Sequence, residues 1–266
     1  MLKLLRHTLF ATLVLCTTVY HTGLAMAAST LDKIQQRGEL ILGTSGNMPS
    51  MTQVDESGKV TGFDIDMARF MAQSMDVSLV TRVMPFNKLL SALEEGKVDV
   101  VISNVTITQK RNLNVAFVGP YLTSGKCFVT KDSSLAQPDQ SPTLDITDTR
   151  LVVLEGSTSE DIVRQLYPQA TVVTVENFSA GADMVKRDEA SGMLTDYPIC
   201  TATLRDNPDA GFVSLFSLLT YEPIGIALPS GDAQFINWTQ NFLRRLEGTG
   251  TLEGLSKAWF GEIKSN

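Results

Sequence analysis

The sequence predicts an α/β protein with largely parallel sheets, arranged as one large lobe or two medium ones, and three observations lead there. Apolar strand-like runs alternate with amphipathic helix-like segments over most of the chain, the pattern of strands joined by crossover helices. The chain has 266 residues, 43% of them hydrophobic, enough for a sizeable core. The stretch 133–148, where Pro138 and Pro142 cluster with Ser and Asp, has the composition of a boundary.

The chain opens with a segment to set aside. Lys3 and Arg6 precede an apolar run at 9–19 and the small-residue sequence Ala25-Met26-Ala27, which reads as a secretory signal, 1–27, cleaved near Ala27. The run is short of the roughly 20 residues a membrane-spanning helix needs. Cys16 follows Leu15, a bulkier residue than lipid-attachment sites accept. A soluble exported protein starting near Ala28 is expected.

After it, "ELILGTS" (39–45) reads as a buried strand, and "DIDMARFMAQSMD" puts Ile65, Ala68, Ala72 and Met75 on one helical face. "KLLSALEEG" is a helix stopped at Gly96, and "VDVVIS" (98–103) a second buried strand. A new series begins at "RLVVLEG" (150–156): "SEDIVRQLY" as helix, "ATVVTV" as strand, "SAGADMVKRDEA" as helix, "SGMLTD" as strand. The C-terminal part reads as two helices broken near Gly248 to Gly250.

Charge and composition exclude several functions. Loss of 1–27 would remove two of the 22 basic residues and none of the 29 acidic ones, taking the formal charge from −7 to −9, so nucleic acid and anionic membranes are poor partners. His7 and His21 leave with the signal, removing the usual general base and the commonest transition-metal ligand. There is no G-x-S-x-G, H-E-x-x-H or P-loop, and no cofactor or metal is expected. Cys127 and Cys200 fit no metal spacing; two isolated buried thiols is the ordinary reading, and a bridge between them requires geometry that a sequence does not supply.

In open α/β sheets ligands sit beyond the carboxyl ends of the strands, which directs attention to the residues after Ser45, Ser103, Gly156 and Asp196. Thr108 is an N-cap candidate that places Arg111 in a first helical turn. A cation there opposes the helix dipole unless an anion is shared by both, and a carboxylate matches the guanidinium fork. Taken alone, Arg111 is better explained by an exposed turn. A second helix start, "GSTSEDIV", has Ser157 and Glu160 at capping-box spacing and three successive hydroxyl residues. Asp196 closes an apolar strand before Pro198, either as a turn residue or as a fixed negative charge facing the crevice. Together they describe a carboxylate clamp with an ammonium acceptor, the complement of a free α-amino acid.

The segments "GELILGTSGNMPSM", "VTGFDIDMARFMA", "VDVVISNVTITQKR", "PYLTSG", "LEGST", "MLTDYP", "EPIGIALP" and "GTLEGLSKAWFG", in this order, resemble the periplasmic solute-binding proteins for polar amino acids that feed ABC importers. The resemblance implies a two-lobe type II flytrap with the ligand in the interlobe cleft. It implies a discontinuous lobe 1 (28–124 plus 221–266) and a lobe 2 between (125–220). It implies that Arg111 and Thr158 hold the ligand's α-carboxylate, and that Thr106, the Asn104 carbonyl and Asp196 meet its α-ammonium. Phe86 matches one wall of the side-chain pocket. Met48 and Met51 stand where the family usually has aromatics, and Ser45 where members for cationic amino acids have an acid, with Glu155 as a partial substitute. The implied partners are a small-molecule amino acid and, transiently, the membrane subunits of an ABC importer; a monomeric, non-enzymatic periplasmic protein is expected. An exported cyclohexadienyl dehydratase on the same fold, using Asp196, Glu155 or Glu222 as acid or base, is the alternative, and a chemosensory receptor protein is a third possibility.

Overall fold

In the computed structural model the described residues are 29–133, 149–215 and 220–261. The expected signal segment and all but the first residue of the stretch 133–148 lie outside them. Helix α1 (Thr30–Arg37) starts where the Ser29 hydroxyl accepts from the Asp32 amide and Asp32 accepts from the Ser29 amide, a reciprocal cap, and stops at Gly38 in left-handed conformation. Strand β1 (Glu39–Thr44) follows. A small antiparallel sheet comes next, of β2 (Asn47–Met48), β3 (Thr52–Val54) and β4 (Val60–Thr61), for which no alternation was visible in two- and three-residue strands. Helix α2 (Phe63–Ser74) buries Ile65, Ala68 and Ala72 as its periodicity predicts. It is followed by β5 (Ser78–Val83), a 3-10 turn at Phe86–Lys88, α3 (Leu89–Glu94), β6 (Val100–Val101), the one-turn α4 (Gln109–Asn112) and β7 (Val115–Ser124).

The chain then crosses at Gly125 into β8 (Lys126–Thr130), β9 (Arg150–Leu154), α5 (Thr158–Leu166), β10 (Thr171–Val175), α6 (Phe178–Lys186), β11 (Gly192–Asp196), α7 (Tyr197–Asp206) and β12 (Val213–Leu215). It returns as β13 (Glu222–Pro229), α8 (Ala233–Gly248) and α9 (Thr251–Phe260), the last two separated as expected at Gly248 to Gly250. Two five-stranded sheets result, β5-β1-β6-β13-β7 and β10-β9-β11-β8-β12.

Each sheet is mixed. The parallel half is the one the strand and helix alternation predicts, with β5, β1 and β6 in one lobe and β10, β9 and β11 in the other. The antiparallel half comes from the crossing strands: β13 lies against β7 from Glu222↔Ser124 to Pro229↔Val115, and β8 against β11 from Lys126↔Asp196 to Thr130↔Gly192. The passage from β7 to β8 and the start of β13 therefore lie side by side, as two strands linking the sheets. The expected strand at 98–103 shortens to β6: the Asp99 amide still donates to the Ile41 carbonyl at 2.9 Å, but side chains take neighbouring amides of β1 and Ser45. The Asp99 carboxylate, not a carbonyl, takes the Ile41 amide at 2.8 Å, and the Ser103 hydroxyl takes the Ser45 amide at 2.9 Å.

Cys127 on β8 and Cys200 on α7 are joined by a disulfide with Cα atoms 6.4 Å apart, which corrects the reading of two isolated thiols. The sequence separation of 73 residues hid the pairing; β8 lying beside β11, whose end runs directly into α7, creates it. In lobe 1 the C-terminal helix docks onto α2, where Trp259 Nε1 donates to Asp66 Oδ2 at 2.9 Å and the Phe260 and Phe63 rings lie 5.1 Å apart. Among the described residues no helix is long and apolar enough to cross a membrane.

Candidate amino-acid clamp between the lobes

The carboxyl ends of β6, β9 and β11 converge on one interlobe cleft. Thr108 caps α4, its hydroxyl accepting from the Arg111 amide at 3.1 Å. From that turn the guanidinium folds back across the cleft. Its NH1 donates to the Thr106 carbonyl in lobe 1 at 2.8 Å and its NH2 to the Gly156 carbonyl in lobe 2 at 3.0 Å, while its carbon lies 5.6 Å from the Phe86 ring centroid. No carboxylate forms an ion pair with Arg111 among the described residues. Burial pulls its pKa below the ordinary guanidinium value, opposed at longer range by Asp196, Asp161 and Glu222.

Facing it is the start of α5. The Ser157 hydroxyl accepts from the Glu160 amide as its spacing predicts, but Glu160 caps the Gly156 amide instead of that of Ser157. The Thr158 hydroxyl lies 3.5 Å from that of Thr106 and donates to Glu222 Oε2 at 3.0 Å. On the third side, Asp196 Oδ2 accepts from Asn104 Nδ2 at 2.8 Å, a bond between lobes. These groups enclose a cavity of about 10 Å³ lined by Met48, Phe86, Asn104, Thr106, Arg111, Thr158 and Asp196, among others. The lobes are closed to the point where space for about one water remains.

Seven of the eight expected site residues thus surround one cavity. Ser45 does not line it: it is buried, bonded to Ser103, and borders an open groove of about 660 Å³ beside Asn47, Pro85 and Glu176. Met51 packs in the core of lobe 1, and Glu155 is exposed and does not line the cavity, so neither shapes it.

Sequence reading missed Lys126. Its side chain is 1% exposed, and its ammonium lies 2.5 Å from Asp196 Oδ1 and 3.6 Å from Glu222 Oε2. Asp196 is therefore no solitary acid, because the antiparallel register sets Lys126 directly opposite it. The available signal was a lone lysine at the head of the apolar run "KCFVT".

Behind the cavity sits Asp64, buried at the start of α2. It accepts from the Asn104 amide at 2.8 Å and the Tyr121 hydroxyl at 2.9 Å, and so holds Asn104 in a left-handed conformation, φ 51°, with its side chain in the cleft. Burial pushes the Asp64 pKa up from 3.8 to about 7, against those two hydrogen bonds. The stabilisation tied to this shift is complete below about pH 4 and is lost as pH rises through 7. Asp64→Asn is expected to remove this component, so that urea unfolding between pH 4.5 and 8 falls less steeply than in the parent, by up to about 1.4 kcal/mol per pH unit. Asp99, raised by burial as well, titrates in both proteins and cancels. Parallel slopes would show that Asp64 ionises normally.

Gly156 allows the lobes to approach closely. Its φ is +74°, and a Cβ there would lie 2.9 Å from the Asn87 Cβ of the opposite lobe. Gly156→Ala adds a conformational cost of about 1–2 kcal/mol and an obstruction in the closed state. A more open particle by small-angle scattering in the presence of ligand, with about tenfold weaker binding, is expected; unchanged closure would refute it.

Two α/β lobes joined by adjacent crossing strands, with an arginine and an acid meeting across the cleft, define a bilobal ligand-binding protein. The chain belongs to the bacterial extracellular solute-binding proteins, family 3, which it matches over residues 40–262. It is 25% identical to the L-cystine-binding protein TcyJ of Escherichia coli K12 over 231 residues, 87% of this chain and 86% of that protein. Among solved structures it is similar to a mutant of ArgBP from T. maritima, with a TM-score of 0.81 and 32% identity, covering 88% of this chain and all of the other. It is likewise similar to AncCDT-1, an ancestral amino acid-binding protein described as a precursor of cyclohexadienyl dehydratase, with a TM-score of 0.80, 33% identity and coverage of 88% and 100%.

Proposed function

We propose that the protein is the periplasmic receptor of an ABC importer, exported by the segment 1–27, which closes on one free amino acid and delivers it to membrane subunits without chemical change. The observation that carries this reading is Arg111, an enclosed guanidinium held by two carbonyls and left without an acid partner. A ligand carboxylate completes it, with the backbone amides at the α5 amino terminus, beginning at Thr158, at hand. The α-ammonium is met by Asp196, by the Thr106 hydroxyl and by Asn104, whose side-chain oxygen is buried in the cleft without a partner. Met48 and Phe86 flank the side chain. Because groups of both lobes touch one ligand, the closed form is the better binder, and binding shifts the equilibrium toward it. Support for the importer role comes from the family and from the amino-acid-binding relatives.

The test is thermal stabilisation of the refolded, ligand-free protein against the twenty amino acids, with prephenate and arogenate included and product followed by absorbance. A shift with one or a few amino acids and no turnover is expected. Turnover of either cyclohexadienyl substrate would overturn the non-catalytic reading.

A further inference from the structure

We propose that Lys126 sets the charge of the ligand, admitting amino acids with uncharged side chains and excluding cationic ones. The inference rests on the amino-acid reading above and concerns a residue that acts through Asp196, since Lys126 stands behind the cavity and does not line it.

Four charged side chains meet at the closed cleft, with Arg111 and Lys126 balancing Asp196 and Glu222. Every carboxylate oxygen among them already accepts a hydrogen bond: Asp196 Oδ1 from Lys126, Asp196 Oδ2 from Asn104, Glu222 Oε1 from Thr220 and Glu222 Oε2 from Thr158. A zwitterion with a neutral side chain adds no net charge to this balance, and its ammonium finds the unpartnered Asn104 oxygen beside Asp196. A side-chain cation would add a positive charge that the two carboxylates, already balanced by Arg111 and Lys126, do not offset in a desolvated cleft. Of the other nearby acids, Glu160 is paired with Arg164, Asp161 is exposed, and Asp64 is taken by Asn104 and Tyr121. Glu176 and Asp206, at the outer groove, are exposed, where solvent and salt weaken their pull.

Without the lysine the same cleft carries one excess negative charge. On this charge count, the arginine bound by one solved ancestral relative is not expected to be the ligand of this chain. Calorimetry of the refolded, ligand-free protein with arginine, lysine, glutamine and methionine tests the idea. The parent is expected to bind glutamine or methionine at least about tenfold more tightly than arginine and lysine. Lys126→Met is expected to move the ranking toward arginine and lysine by about tenfold or more. Lys126→Met combined with Glu222→Gln restores the charge balance and is expected to return the parent's ranking, which separates charge from packing and serves should the single variant not fold. A parent that prefers arginine or lysine, or a ranking unmoved by Lys126→Met, overturns the role of Lys126 while leaving the amino-acid reading in place. Binding of none of the twenty amino acids overturns both.

Discussion

Arg111→Ala is expected to weaken amino-acid binding by roughly 2 to 5 kcal/mol, about thirtyfold to several thousandfold, with the fold intact. The size follows from what the guanidinium lacks. It spans the lobes through the carbonyls of Thr106 and Gly156 and stacks over Phe86, but no acid of the protein completes it. The strongest partner its fork can have, a carboxylate taken up from solution, is lost with it. The fold survives for the same reason. No buried carboxylate is orphaned, and the Thr108 cap bonds the backbone amide of residue 111, which alanine keeps. Arg111→Lys retains the charge without the fork and is expected to fall between the two. Calorimetry for affinity and a thermal melt for stability decide the matter, and near-parental affinity in Arg111→Ala would remove the residue from the clamp.

Much of this site was legible in the sequence, for a definable reason. A buried parallel strand followed by a capped helix start is written locally, so Ser103, Thr108, Ser157 and Asp196 mark strand ends that the topology must bring to one crevice. Arg111 was conspicuous because a cation in a first helical turn opposes the dipole. What was hidden is non-local. The Lys126 to Asp196 pair, the Cys127 to Cys200 bond and the Asn104 bridge join residues separated by 70, 73 and 92 positions. The first two follow from β8 running antiparallel to β11, a register that neither strand announces by itself. Ser45 was misplaced by one cavity because its hydroxyl is satisfied by Ser103. Met51 packs in the core, where most methionines go, while Met48 lines the cavity.

The Lys126 to Asp196 pair also changes what a substitution at the acid is expected to do. Read as a lone charge, Asp196 could be removed with loss of binding alone. Paired as it is, Asp196→Ala strands an ammonium at 1% side-chain exposure, with Glu222 at 3.6 Å as its remaining ionic partner. Breaking a buried pair from one side costs roughly 3–5 kcal/mol of stability, whereas removing both partners costs far less. The cycle of Asp196→Asn, Lys126→Met and the double variant is therefore expected to be strongly non-additive in urea unfolding, the double variant recovering most of what either single loses. Ligand affinity should behave otherwise. The double variant still lacks the acid that meets the α-ammonium and is expected to stay weak, although its stability is restored. Recovery of stability without recovery of binding assigns Asp196 both roles; additive losses would mean that the pair is not energetically coupled, and parental affinity in the double variant would mean that the ammonium is recognised elsewhere.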